Sequence, residues 1–176
     1  MGNWLVLPVG VVGLLLAGVG ARAQTAATTT QEAEAGQSQR ASGTFDVKVT
    51  PVAGPEGSLA SGRLTAEKTF HGDLEGTSRG EMWTAETGVK GSAGYVAIEK
   101  VEGTLRGRKG SFTLLHQGTM RQGSDFRIAI VVVPDSGTGD LGGLGGRMTI
   151  VIEGGKHSYE MDYTLPDAAQ ATTRRD

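Results

Sequence analysis

The stretch AGYVAIEKVEGTLRGRKGSFTLLHQGTM, residues 93–120, decides the fold class because it alternates on both sides of one glycine-containing turn. Tyr95, Ala97, Glu99 and Val101 share one face, as do Phe112, Leu114, His116 and Met120 after the turn. A period of two belongs to a β-strand, since successive side chains point to opposite faces of a sheet. The turn reads as a two-residue Gly107-Arg108 loop of the Gly-x hairpin type. That loop pairs Arg106 with Lys109, so paired residue numbers sum to 215. Glu99 is then expected directly opposite His116, within cross-strand contact distance.

The same period continues outward in both directions. Phe45, Val47 and Val49 alternate with Asp46 and Lys48; Phe126, Ile128, Ile130 and Val132 carry one face of a later run. Met148, Ile150 and Ile152, then Tyr159, Met161, Tyr163 and Leu165, repeat the pattern. No window has helical periodicity. Eight strands are predicted, near 43–50, 62–71, 74–85, 93–106, 109–122, 125–133, 146–153 and 157–165. Such short, evenly spaced strands predict an all-β fold, a small eight-stranded antiparallel up-and-down barrel. Closure removes edge strands. An immunoglobulin-like sandwich is the alternative, but the Cys…Trp…Cys pattern is missing. The hairpin between the second and third strands stays open at this level. A Gly72-Asp73 loop sets Lys68 opposite Thr77, whereas a longer loop or bulge puts Leu74, Gly76, Ser78, Gly80 and Met82 on the Lys68 face.

Composition sets outer limits. The 176 residues carry 17 Lys and Arg against 19 Asp and Glu, a net charge of −2 that gives no basic face for nucleic acid. There is no Cys, which removes disulfides, thiol nucleophiles and Cys-based metal sites. The 29 Gly residues fall mainly at turns and bends. Leu5 to Val19 is an uncharged apolar run followed by Ala21-Arg22-Ala23. It reads as a secretory signal peptide over residues 1–23, cleaved after Ala23, with a short uncleaved anchor as the alternative. The expected location is therefore secreted or periplasmic, with no membrane association after cleavage. Residues 24–42 and 166–176 are too poor in large apolar side chains to fold and read as a disordered linker and tail. The barrel domain is expected over 43–165.

Several motifs carry chemistry on paper. Glu99 and His116, turned inward together, would be a carboxylate–imidazole pair suited to acid–base or polar steering work, or simply a buried pair that fixes register. Lys68, Ser78, Tyr95, Met120 and Tyr159 are the candidate ligand-lining residues. Gly76, Ser78, Gly80, Ala97 and Gly118 are small enough to leave interior room. Residues 137–142, GTGDLG, match G-x-G-x-x-G, but a strand follows where a dinucleotide site needs a helix; the segment reads as a flexible loop over a barrel mouth. His71, His116 and His157 share no ligand spacing, so no metal site is expected, and no cofactor. Arg106, Arg108 and Lys109 read as a solvated turn. A Ser136–His116–Asp135 hydrolase lacks the nucleophile elbow.

KTFHGDLEGTSRGEM (68–82), GSAGYVAIEK (91–100), GSFTLLHQGTM (110–120), PDSGTG (134–139) and GKHSYEMDYTL (155–165) together resemble a bacterial family of unknown function. Its members are similar in fold to allene oxide cyclase, a small eight-stranded barrel. GTGDLGGLGG (137–146) is also similar to the glycine-rich turn of dirigent proteins. The resemblance covers about residues 41–165 and implies a fold more than an activity. It suggests a barrel that binds a small apolar or amphiphilic molecule. Two alternatives stay open: a cofactor-free isomerase or cyclase using Glu99 and His116, and a filled structural barrel. Oligomers among relatives imply a homo-oligomer as an expected partner state.

Overall fold

The structure is a computed structural model that describes residues 37–166. The stretch expected to be a signal peptide, most of the expected linker and the expected tail beyond 166 lie outside the described residues. Eight strands follow in order: β1 Gln39–Val52, β2 Gly62–Gly72, β3 Leu74–Glu86, β4 Ala93–Leu105, β5 Arg108–Arg121, β6 Ser124–Val132, β7 Gly145–Glu153 and β8 Lys156–Thr164. Each pairs antiparallel with its neighbour, and β8 returns to β1, closing the barrel. β1 begins four residues before the expected domain boundary, inside the stretch read as linker. Gln39 pairs with Tyr163 there, and the small Ala41 side chain is fully buried. Alternation alone could not show this, because Ala and Gln carry little signal.

The β4–β5 hairpin corrects the expected register. Arg106 and Gly107 form the loop with φ of 46° and 83°, and Leu105 pairs with Arg108, so paired numbers sum to 213. Two positive φ values give the primed turn whose twist matches the flanking strands. Arg106 is held in that conformation because its backbone N–H donates to Asp73 O at 2.8 Å. Its guanidinium also lies 3.3 Å from the Asp73 carboxylate. Glu99 therefore faces Leu114, and His116 faces Ala97. A slip of two keeps every side chain on its predicted face. The β2–β3 hairpin settles on the second alternative: Gly72 takes φ 106° and Lys68 pairs with Ser78.

Large inward side chains concentrate at the end carrying the β2–β3 and β4–β5 turns. Phe70, Leu74, Leu105, Phe112, Leu114, Tyr159 and Met161 are buried there. The glycine-rich connection between β6 and β7 completes this end instead of hanging over it as a flexible loop. It forms a 3-10 turn at Gly139–Leu141 and buries Leu141 and Leu144 in the core. Thr138 N–H donates to Ser111 O at 2.8 Å, and Thr113 N–H donates to Ser136 Oγ at 3.1 Å. The segment thus serves the edge of β5 where β6 has ended.

Candidate functional site

Glu99 projects inward from the middle of β4, at the level where the packed half stops, and is only 3% exposed. Lys68 Nζ on β2 donates to its Oε2 at 2.6 Å, and Ser78 Oγ on β3 donates to Oε1 at 2.5 Å. Lys68 Nζ also lies 5.1 Å and 5.8 Å from the ring centres of Phe45 and Phe70, where the ring faces attract a cation. His116 on β5 brings Nε2 to 2.9 Å from Glu99 Oε2, but off the axis of a hydrogen bond. The buried Nε2 has no well-aligned hydrogen-bond partner. Burial by itself raises the Glu99 carboxyl pKa. The His116 contact, the Lys68 charge and hydrogen bond, and the Ser78 hydroxyl outweigh it and hold the group down at about 2.

The interior above this cluster, toward the β1–β2, β3–β4, β5–β6 and β7–β8 turns, is lined differently. Val49, Phe126 and Ile152 lie on inward faces yet remain 49%, 56% and 59% exposed. Leu64, Met82 and Met120 are half-buried on the same inner surface. Apolar side chains on the inner face therefore meet solvent at this end, whereas the ionic cluster below them is buried.

The expected site residues divide. Glu99, His116, Lys68 and Ser78 come together. Tyr95 is half-buried beside them, and burial followed by the Glu99 charge raises its phenol pKa. Met120 lies nearer the open rim, opposite Ala93. Tyr159 is set apart: its hydroxyl accepts from Leu74 N–H at 2.8 Å and its ring meets Phe70 edge-on at 5.6 Å, all within the packed end. Two of the small residues do not leave room. A methyl at Gly118 would run into the Tyr95 ring, and Gly76 lets the β3 backbone approach Gly103 closely. Trp83 faces outward, with the Arg63 guanidinium 5.2 Å above its ring. His71 lies at the surface beside Asp46, and His157 packs at 5.1 Å from Phe45. Sequence reasoning missed Phe126, Ile128 and Ile152 as rim residues, although their apolar alternation runs unbroken to the strand ends. It also missed an outer groove of about 1200 Å3 over β1 to β5, lined by Lys48, Glu67, Arg79, Trp83 and Ile98 among others.

Fold and site together define a closed antiparallel barrel, packed at one end and open at the other, with a buried Lys–Glu–His–Ser cluster between. Residues 41–163 match the family described as "Protein of unknown function (DUF3224)", and the chain belongs to that family. It is similar to a DUF3224 protein of unknown function from Shewanella oneidensis MR-1, known from a crystal structure. The two are 48% identical, the alignment covers 74% of this chain and 99% of the other, and the TM-score is 0.67. A comparison with curated proteins gives no match.

Proposed function

We propose that the open half of the barrel binds a small apolar or amphiphilic molecule above the Glu99 cluster. One observation carries this reading: inward-facing apolar side chains stay exposed at one end only, over a polar floor. An apolar concavity with a few convergent polar groups is the usual form of a small-molecule site. Native mass spectrometry of protein purified from its own host, with solvent extraction, should show a bound lipophile. An empty protein that also fails to take up apolar probes would refute the reading.

The Glu99–His116 contact favours one further reading, a cofactor-free isomerase or cyclase. A carboxyl with a pKa of about 2 is a poor general acid near neutrality. Glu99 would instead steer developing positive charge, and any proton would pass through His116. Turnover unchanged in Glu99→Gln and His116→Ala would remove this reading. The expected leader would deliver the site to the periplasm or beyond, and a mature N-terminus at Gln24 is the corresponding observation.

A further inference from the structure

One seam of the barrel is unlike the others. β4 and β5 pair over thirteen positions and β7 and β8 over nine. β6 and β7 are joined only by Ile130↔Met148 and Val131↔Arg147. Toward the open end, β6 still pairs with β5 and β7 with β8, but not with each other. The β5–β6 register shifts between Thr119 and Arg121 toward the same end, an irregularity of the kind that locally disrupts a ladder. No ladder hydrogen bond has to break for this split to widen, whereas opening a fully paired seam such as β4–β5 would give up about 1 kcal/mol per bond.

The split begins at the level of the cluster. His116 pairs with Ile130, and Ile130 pairs with Met148, so the last closed rung lies in the row of His116. In the next row Ile128 on β6 and Ile150 on β7 flank the gap, both on inward faces. Glu99 is already occupied by Lys68 and Ser78. His116 Nε2 is what remains, buried and without a directional partner. With the Glu99 carboxylate 2.9 Å away, the neutral ring favours the tautomer with hydrogen on Nε2 rather than a lone pair, which makes this nitrogen a donor.

The geometry points to a lateral portal for a single-chain amphiphile, its hydrogen-bond-accepting head against His116 Nε2 and its apolar chain between Ile128 and Ile150. This inference rests on the binding reading above and adds the route and the chemical class of the ligand. Ala129 and Thr149 are next in register after Ile130↔Met148, and both face outward and are exposed. Because the chain has no Cys, Ala129→Cys with Thr149→Cys would supply its only thiols. A short reducible bis-maleimide across them should slow uptake of the fluorescent fatty acid cis-parinaric acid by about ten-fold or more, and reduction should restore it. The same bridge in Thr149→Cys with Glu160→Cys, a pair already closed in the β7–β8 ladder, should change nothing. Uptake at the unbridged rate would overturn the portal while leaving binding intact. No uptake by the unmodified protein would overturn both. His116→Leu should weaken cis-parinaric acid by about ten-fold, the worth of one hydrogen bond, and leave the headless probe diphenylhexatriene unaffected. Equal loss of both probes would overturn the head-group assignment.

Discussion

The two ends of this barrel are built from the same eight strands with the same inward–outward alternation, yet only one of them is a hydrophobic core. At the turn end of β2–β3 and β4–β5, aromatic and branched side chains meet across the lumen, and Leu141 and Leu144 fill the remaining space from the side. At the other end the inward positions are still apolar, but Val49, Phe126 and Ile152 meet water. Alternation therefore places a side chain on the inner face without saying whether anything will be packed against it. Stability is expected to reside at the first end and binding at the second, with the Glu99 cluster at their boundary.

The largest contrast should come from matched aromatic deletions. Phe112→Ala, at the packed end, should cost about 3–5 kcal/mol, because it removes a fully buried ring and leaves a cavity. Urea denaturation measures this directly, and a cost below about 1 kcal/mol would mean that this end is not the core. Glu99→Gln should cost a similar amount, about 3–5 kcal/mol, since it leaves the Lys68 ammonium buried without its counter-charge. The double substitution Lys68→Met with Glu99→Leu should recover most of that loss. Failure to recover would show that the cluster does more than satisfy itself.

The pH dependence has a definite sign. The Glu99 carboxyl lies at about 2 in the folded chain against an ordinary value of 4.5. A depressed pKa contributes stability that is complete above the unfolded value and is lost as pH falls from about 4.5 toward 2. The loss should be on the order of 3 kcal/mol, and the acid limb should flatten in Glu99→Gln. An unchanged limb in that variant would assign the acid sensitivity to other carboxylates.

Smaller effects test the boundary and the open end. Gly118→Ala should cost about 1–3 kcal/mol by displacing the Tyr95 ring, with a change in tyrosine fluorescence as its signature. Phe126→Ser should change stability by less than about 0.5 kcal/mol, because more than half of that residue is already solvated. It should nonetheless weaken binding of apolar probes. A large stability loss at Phe126 would erase the distinction between the two ends.

Much of this was legible in the sequence, for reasons that can be stated residue by residue. Strand spans over Gly62–Gly72 and Leu74–Glu86 followed from alternation and glycine punctuation. Glu99 and His116 were legible as inward neighbours, because the hairpin error of two positions preserves face. Their partners were not. Whether Lys68 and Ser78 join the cluster depended on how Gly72 and Asp73 turn, and a one-residue difference there sends the whole of β3 to the other face. Tyr159 looked like a lining residue because its strand alternates cleanly, and only the contact with Leu74, 85 positions away, takes its hydroxyl out of the lumen.

By itself, then, the sequence determined that the chain forms eight antiparallel strands and which side chains face inward, since both follow from a local period of two and local turn chemistry. Tertiary structure alone decided which inward positions are filled, that Lys68 and Ser78 join His116 at Glu99, and that the β6–β7 seam closes over two pairs only. Those depend on contacts between residues far apart in the chain, on the register shift at Thr119/Arg121 and on where the glycine-rich connection docks, and no local pattern encodes them.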